Sequence, residues 1–272
     1  MNKTIVLQKR PFGPLKADNF KILDEQTPKL EAGKLLLRSM FFSVDPYMRN
    51  RMNAIRSYVD PFKVGEPIEG DAIAEVMDSD HPDFRPGDRV TGSFPWKEMM
   101  CIDPARATKI KDTGISPTAY LGILGLTGLT AYFGLKDVGK IRPGEQVVIS
   151  GAAGAVGSVA GQIARIMDCQ VTGIAGSEQK IQYITDELKF DRAINYKSFP
   201  NIRKALAKTN PDGIDIYFDN VGGDVSDSVM YFLNRHARIV LCGQIALYNQ
   251  SRISTGPGLN AQLIVNRARM EG

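Results

Sequence analysis

Residues 150–157 have the residue types and the spacing of a phosphate-binding turn. They read Ser-Gly-Ala-Ala-Gly-Ala-Val-Gly and lie between an apolar run at residues 146–150 and a predicted small-residue helix at residues 154–167. Small residues here allow a tight turn, a close approach of the backbone to a pyrophosphate and close packing of helix on strand. The N-terminus of the helix adds free N–H groups and a positive dipole end for the phosphates.

Compared with the dinucleotide pattern G-x-G-x-x-G, this turn carries Ala152 in place of the first glycine, while Gly154 and Gly157 are in place. A strand precedes the turn, a helix follows it, and further strand–helix units come after, so the pattern indicates a dinucleotide site rather than a turn that serves packing alone. The candidate cofactor contacts are Ala152, Ala153, Gly154, Ala155, Val156 and Gly157.

The type of nucleotide depends on the end of the second strand, where residues 175–180 read Ala-Gly-Ser-Glu-Gln-Lys. NAD enzymes place an acid there to accept the ribose 2′-OH. No acid occupies the strand end itself, and Lys180 lies one turn into the helix, where it could pair with a 2′-phosphate. Glu178 is the alternative acid, although a first-turn position also suits the helix dipole. We expect NADPH, with Gly176, Ser177 and Lys180 as candidate contacts.

The elements that position this turn alternate between strand and helix from residue 141 onward. Strands are predicted at residues 146–150, 170–175, 193–195, 214–219 and 238–242, and helices at 154–167, 178–188, 201–208 and 225–233. Strands spaced by helices of this length imply right-handed crossovers and an open, doubly wound parallel sheet.

The first half of the chain is rich in proline and glycine and has short β-like runs. Strands are predicted at residues 34–39, 71–76 and 88–92, with an Arg-Pro-Gly-Asp turn at residues 85–88. The fold class is therefore α/β, with a small β-barrel-like domain at residues 1–118 and a nucleotide-binding domain at residues 119–272.

Composition excludes several classes of function. The chain has 272 residues and a formal net charge of +4, spread evenly, which does not indicate nucleic acid binding. Three scattered cysteines and two histidines offer neither a disulfide framework nor a metal site.

An uncharged stretch at residues 113–135 is long enough to span a bilayer, but it is rich in glycine and threonine and contains Pro117. No signal-peptide core is present. We expect a cytoplasmic protein with no metal, no membrane contact and no nucleic acid partner.

Several segments together resemble one known family. They are residues 10–14 (Arg-Pro-Phe-Gly-Pro), 43–49 (Ser-Val-Asp-Pro-Tyr-Met-Arg), 151–157, 219–223 (Asp-Asn-Val-Gly-Gly) and 242–244 (Cys-Gly-Gln) with Tyr248 and Asn249. These motifs resemble the zinc-independent medium-chain reductases, in the branch of prostaglandin reductases (leukotriene hydroxydehydrogenases), curcumin reductase and plant double-bond reductases. The resemblance covers essentially the whole chain. It implies a GroES-like catalytic domain followed by a Rossmann domain, NADPH as cofactor and reduction of the C=C bond of enones and enals; we also expect a homodimer.

The resemblance also implies roles for individual residues. The turn from Ala152 to Gly157 would hold the pyrophosphate, and Lys180 with Tyr196 the 2′-phosphate. The nicotinamide side would be lined by Asn220, Cys242 and Gly243, and Tyr47 and Tyr248 would face the substrate, Tyr248 also being a candidate cofactor contact. Thr127 stands where the family usually has proline, so its expected cofactor contact is a departure from the pattern.

Two further departures concern the end of the chain. Val265 stands where several family members have a substrate-pocket tyrosine, ahead of Arg-Met-Glu-Gly at residues 269–272. The chain also stops at Gly272, where the family continues through a sixth Rossmann strand, so we expect the Rossmann domain to be truncated at its C-terminal end.

Reduction of a polarised C=C bond places a hydride on the β-carbon and a proton on the α-carbon, and negative charge develops on the carbonyl oxygen. The site therefore needs a donor aimed at that oxygen. The candidates are the phenols of Tyr248 and Tyr47, a backbone N–H and a ribose hydroxyl of the cofactor, and the two tyrosines are the predicted catalytic residues. Two alternatives remain open: a quinone reductase, and a nucleotide-binding protein without turnover. The identity of the substrate does not follow from the sequence.

Overall fold

The computed structural model describes residues 1–55, 59–199, 201–250 and 258–272. The chain divides into two units, Met1–Gly122 and Ile123–Gly272. The fold class is α/β, as predicted: antiparallel strands in the first unit and a parallel sheet in the second.

The first unit is built from short antiparallel strands. In its described part the elements are β1 (Asn2–Leu7), β2 (Phe20–Glu25), β3 (Leu35–Phe42), the helix α1 (Tyr47–Arg51), β4 (Glu69–Ser79), β5 (Arg89–Pro95), β6 (Met99–Ile102) and β7 (Thr108–Lys109). Single 3₁₀ turns occupy Ala17–Asn19, Pro104–Arg106 and Pro117–Leu121. One sheet has the order β6-β3-β4-β5-β7, and β1 pairs with β2.

Alternation along the strands of the larger sheet builds the core of the first unit. Leu35 and Leu37 of β3 and Ala72, Ala74 and Val76 of β4 are all buried, and their neighbours point to the other face. This period of two places one set of apolar side chains on the same face of the sheet, while Ile73, on the opposite face of β4, is buried as well. A separate cluster of Leu7, Met48, Met52, Phe62 and Ile68 packs beside α1.

The second unit has a parallel sheet with helices on both faces. Its elements are α2 (Leu126–Phe133), β8 (Gln146–Ser150), α3 (Ala155–Ile166), β9 (Gln170–Ala175), α4 (Glu178–Gln182), β10 (Arg192–Asn195), α5 (Ile202–Thr209), β11 (Ile214–Asp219), α6 (Gly223–Val229), β12 (Leu233–Leu241), α7 (Asn260–Asn266) and β13 (Arg269–Glu271). The strand order is β10-β9-β8-β11-β12-β13, and the paired strands are parallel. Because the order reverses between β8 and β11, the ligand crevice of such a sheet lies beyond the carboxyl ends of these two strands.

Both faces of this sheet are buried, which explains the continuous apolar runs in its strands. On one face Ile149 and Phe218 pack with Ala160 of α3, and on the other Val148 packs with Leu206 of α5. Asn195 and Asp219, two buried polar residues, lie at the ends of β10 and β11.

The observed elements differ from the predicted ones at several ends. The helix predicted at residues 178–188 is α-helical over Glu178–Gln182 and continues as a π-helical turn over Tyr183–Glu187. The helix predicted at residues 225–233 ends with α6 at Val229 and a 3₁₀ turn over Met230–Phe232. Leu233 already belongs to β12, where it pairs with Ile214.

The sixth strand is a correction to the sequence analysis, which placed it beyond Gly272. The short strand β13 pairs in parallel with residues 238–240 of β12. It has three residues, of which Met270 is half-buried and packs against the core.

The departure at Ala152 has a structural compensation. Ala152 is fully buried, and its Cβ lies 2.9 Å from the position that a Cβ on Gly173 of β9 would occupy. The dinucleotide pattern has a glycine where this chain has Ala152. The methyl group of Ala152 fits here because Gly173, opposite it, has no side chain. The backbone of the turn keeps its place: the Ala152 N–H donates to the carbonyl of Ile174 at 3.1 Å.

Within the described ranges, every helix is too short or too polar to cross a membrane.

Candidate functional site

The predicted phosphate-binding turn links β8 to α3. Gly151 has φ +60°, a left-handed conformation that favours glycine. A Cβ on Gly157 would lie 2.4 Å from the Gly151 carbonyl oxygen, so this glycine allows α3 to pack directly on the turn. Gly154 precedes the first helical residue, Ala155, and no side chain caps the helix there. The first N–H groups of the 12-residue helix therefore have no partner within the helix and can bind an anion.

The turn after β9 lies beside the turn after β10. The Tyr196 N–H donates to the Ala175 carbonyl at 3.1 Å, and the Tyr196 ring covers Gly176, where a Cβ would meet ring atoms at 2.9–3.1 Å. Ser177 is the N-cap of α4, and its hydroxyl accepts from the Lys180 N–H at 3.3 Å. Gly176, Ser177, Lys180 and Tyr196, predicted from two separate segments, are thus brought together.

Glu178 is held in this region by two donors. Asn195 Nδ2 donates to Glu178 Oε1 at 2.6 Å, and Ser198 Oγ donates to the same oxygen at 3.2 Å. The Lys180 ammonium forms no ion pair with Glu178 or with another carboxylate in the described part of the chain.

A buried carboxylate, that of Asp219, joins the ends of three strands. Its donors are Ser150 Oγ (2.9 Å), Tyr217 OH (2.9 Å), the N–H groups of Val221 and Gly222 (both 3.0 Å) and Ser226 Oγ (2.5 Å). The carbonyl of Asp219 also accepts from the N–H groups of Cys242 and Gly243 at 2.9 and 3.0 Å. The ends of β8, β11 and β12 are therefore fixed to one residue.

Ser150 connects the Asp219 carboxylate to Asn220 by hydrogen bonds. Its hydroxyl donates to Asp219 and accepts from the Asn220 N–H at 2.9 Å. Asn220 Nδ2 donates to the Ser150 carbonyl at 2.8 Å. The predicted residue Asn220 is thus locked against the start of the phosphate-binding turn.

Sequence reasoning named Asn220 but missed Asp219 and Ser150. The available signal was an acid at the end of an otherwise apolar strand, Ile-Asp-Ile-Tyr-Phe-Asp, directly before the turn Asn-Val-Gly-Gly. A buried acid requires several donors, and such groups are concentrated where strands end at a site.

The turn after β12 brings Cys242, Gly243 and Tyr248 beside Asn220. A Cβ on Gly243 would lie 3.3 Å from the Tyr248 hydroxyl and 3.4 Å from the Asn220 carbonyl oxygen. The Gln244 N–H points at the Tyr248 hydroxyl at 3.5 Å. The hydroxyl is the acceptor in this contact and donates to no described residue, so its proton is available.

Burial, with the charge of Asp219, raises the pKa of the Cys242 thiol to about 11. The thiol is therefore neutral near pH 7 and lines the turn as an uncharged side chain. Burial, again with Asp219, also raises the pKa of the Tyr217 phenol well above its usual value, so Tyr217 remains a donor to the carboxylate.

The remaining predicted residues lie elsewhere. Thr127 is buried in the first turn of α2, which packs against α3. Tyr47 begins α1 in the first unit and is half-buried beside the Met48 cluster. Burial, together with the carboxylates of Asp71 and Asp45, raises the pKa of the Tyr47 phenol, which keeps it protonated.

Two family models match the chain. One, described as the N-terminal domain of oxidoreductase, matches residues 3–110, and the other, described as zinc-binding dehydrogenase, matches residues 155–272. The residues present do not fit a zinc site: no group of three or more His, Cys, Asp or Glu side chains able to hold a metal occurs in the described ranges.

Individual relatives agree with these models. The NADPH-dependent curcumin reductase of Escherichia coli is 37% identical over 275 residues, which cover 100% of this chain and 79% of that protein. The NADP⁺-dependent 2-alkenal reductase of Nicotiana tabacum is 39% identical over 277 residues, covering 100% and 80%. The crystal structure of CurA from Vibrio vulnificus in complex with NADPH superposes with a TM-score of 0.94 at 40% identity, covering 99% of this chain and 81% of that one. The chain belongs to the zinc-independent medium-chain reductases, a family of NADP-dependent oxidoreductases, as its motifs predict.

Proposed function

We propose that this protein uses NADPH to reduce the C=C bond of α,β-unsaturated ketones and aldehydes. The proposal rests on one observation: three groups of residues lie at the same edge of the sheet. They are the turn before α3, whose free N–H groups can bind an anion, the neighbouring segments after β9 and β10 that contain Lys180 and Tyr196, and the turns that contain Asn220 and Gly243. This edge is the one at which a sheet of this strand order binds a dinucleotide. The names of the relatives, curcumin reductase and 2-alkenal reductase, support a conjugated carbonyl compound as the substrate.

The residues present fit NADPH. The turn has no side chain beyond a methyl group from Gly151 to Ala155, so a pyrophosphate can approach the backbone closely. We assign the pyrophosphate to residues 152–157, with Thr127 of α2 as a further contact. We assign the nicotinamide side to Asn220, Cys242, Gly243 and Tyr248. When bound, NADPH supplies the hydride for the reduction.

The 2′-phosphate is assigned to Lys180 and Tyr196, with Gly176 and Ser177 forming the turn beneath it. Lys180 is exposed and has no ion pair in the described ranges, so its charge is available to an anion. The Tyr196 ring, fixed over Gly176, places a second donor at the same turn.

The chain must also stabilise the charge that develops on the carbonyl oxygen of the substrate. Tyr248 is our first candidate because its hydroxyl proton is unused and its hydroxyl lies beside Gly243, which itself lies against the Asn220 carbonyl. Tyr47 of the first unit is the second candidate, and its raised pKa keeps the phenol protonated. Val265 is 75% exposed on α7 and supplies no hydroxyl in place of the family tyrosine. A cytoplasmic location and a homodimer remain predictions.

The first prediction concerns the reaction itself. The purified protein should oxidise NADPH in the presence of an aliphatic enone or enal, and mass spectrometry should identify the saturated carbonyl compound as the product. Oxidation with a para-benzoquinone alone would favour the quinone reductase alternative. NADPH binding without oxidation by any of these compounds would identify a nucleotide-binding protein without turnover.

The second prediction concerns Lys180. Because an ammonium–phosphate contact is charge-assisted, Lys180→Ala should weaken NADPH binding by about tenfold or more and leave NADH binding nearly unchanged. Fluorescence titration with both nucleotides measures this difference. Lys208→Ala, which removes an exposed lysine from the last turn of α5, serves as the matched control. Equal losses for NADPH and NADH would show that Lys180 does not bind the 2′-phosphate.

The third prediction concerns Tyr248. Tyr248→Phe should lower turnover with an enone by about tenfold, less than the usual loss for an oxyanion donor because a ribose hydroxyl or a backbone N–H shares the role. NADPH affinity should stay constant, since the hydroxyl acts on the substrate. Tyr231→Phe, at an exposed tyrosine stacked under Arg203, controls for the loss of a phenol. Turnover equal to the wild type would assign Tyr248 to packing.

A further inference from the structure

Glu178 and Lys180 lie two residues apart in the turn that is assigned to the 2′ position, and they favour different nucleotides. A carboxylate near the ribose accepts the 2′-OH of NAD(H) and repels a 2′-phosphate, whereas an ammonium group attracts the phosphate. The selectivity of the turn therefore depends on where the Glu178 carboxylate is held.

The structure holds this carboxylate against the neighbouring strand. Asn195 Nδ2 and Ser198 Oγ both donate to Glu178 Oε1, at 2.6 and 3.2 Å. We call Asn195 and Ser198 the carboxylate clamp.

The clamp is built on a rigid element. Asn195 is 9% exposed, ends β10 and pairs with Ala175 of β9. Its Oδ1 accepts from the Lys197 N–H at 3.2 Å, so both ends of the amide are used and its orientation is fixed. Most exposed glutamates remain solvated and sample many rotamers, whereas Glu178 is restrained by one donor on the strand end, Asn195, and a second, Ser198, in the exposed loop that follows β10.

The clamp is next in sequence to one of the residues assigned to the phosphate. Tyr196 directly follows Asn195, and its ring covers Gly176. The Glu178 carboxylate is bonded to Asn195 and Ser198, and the Lys180 ammonium forms no ion pair with any described residue, which leaves it open to an external anion.

We propose that Asn195 and Ser198 determine the preference for NADP(H) over NAD(H) by holding the Glu178 carboxylate away from the 2′ position. This inference rests on the proposed function, in which Lys180 and Tyr196 bind the 2′-phosphate. Asn195 and Ser198 act through Glu178 and are positioning residues rather than contacts of the nucleotide.

The test uses 2′,5′-ADP and 5′-AMP, two fragments that differ only in the 2′-phosphate, with isothermal titration calorimetry as the readout. The double variant Asn195→Ala/Ser198→Ala frees Glu178. It should bind 2′,5′-ADP about fivefold more weakly, because the charge of Glu178 then acts on the phosphate, and 5′-AMP no more weakly than the wild type does.

The decisive comparison is the same double substitution in a Glu178→Gln background. With no carboxylate to release, the affinity for 2′,5′-ADP should change by less than about twofold. A loss of the same size in both backgrounds would show that the clamp acts through the fold of the loop, and no loss in either would show that it has no role; both results overturn the proposal.

Two controls separate this inference from the proposed function. Asn234→Ala removes a similar hydrogen bond, from an amide to the Asp215 carboxylate at 2.9 Å, in the region where β11 and β12 begin. This variant should leave both affinities unchanged.

Lys180→Ala should abolish most of the preference for 2′,5′-ADP. If wild-type protein binds both fragments equally, the phosphate assignment itself fails and the clamp proposal fails with it. If Lys180→Ala behaves as expected and the background comparison does not, only the clamp is wrong.

Discussion

The burial of the Asp219 carboxylate is the constraint on which the second unit depends. A carboxylate that is removed from water is costly unless hydrogen-bond donors replace its hydration. Here the donors come from β8, from the turn after β11 and from α6, and the backbone of the same residue accepts from the turn after β12. In the observed arrangement these elements satisfy the carboxylate together, and the phosphate-binding turn and Asn220 lie side by side.

The chemical environment changes along this edge of the sheet. Near β9 and β10 the side chains are charged and exposed, as the exposed Lys180 and Glu178 show. Near β11 and β12 the Asp219 carboxylate is buried among its donors, and the groups that line the turns are the Cys242 thiol, whose pKa burial raises, and the Tyr248 hydroxyl. A charged, exposed end suits discrimination of a phosphate, whereas an end whose charge is buried and hydrogen-bonded suits hydride transfer, in which an exposed fixed charge would compete with the charge that develops on the substrate. The sheet keeps the two ends apart because its strands have a fixed spacing.

Much of the framework follows from the sequence because it depends on local patterns. The buried parallel strands, the glycine turn and the alternation with helices each leave a recognisable run of residues. The prediction failed where tertiary contacts set the ends of an element. Residues 234–236 are polar and do not indicate a strand, yet β12 begins at Leu233 because Leu233 pairs with Ile214. The strand β13 is only three residues long. The contacts of Asp219 and Glu178 join residues that are distant in sequence, Ser150 with Asp219 and Asn195 with Glu178, and a single sequence contains no signal for such pairs.

The central claim is that the Asp219 network positions the nucleotide turns, and Ser150 tests it most directly. Ser150→Ala and Ser226→Ala each remove one hydroxyl donor to Asp219, but only Ser150 also contacts Asn220. Both variants should lose about 1–2 kcal/mol of stability. The measurement is the NADPH dissociation constant of each variant: we expect it to rise about tenfold for Ser150→Ala and to remain at the wild-type value for Ser226→Ala. Equal NADPH affinities in the two variants would contradict the account.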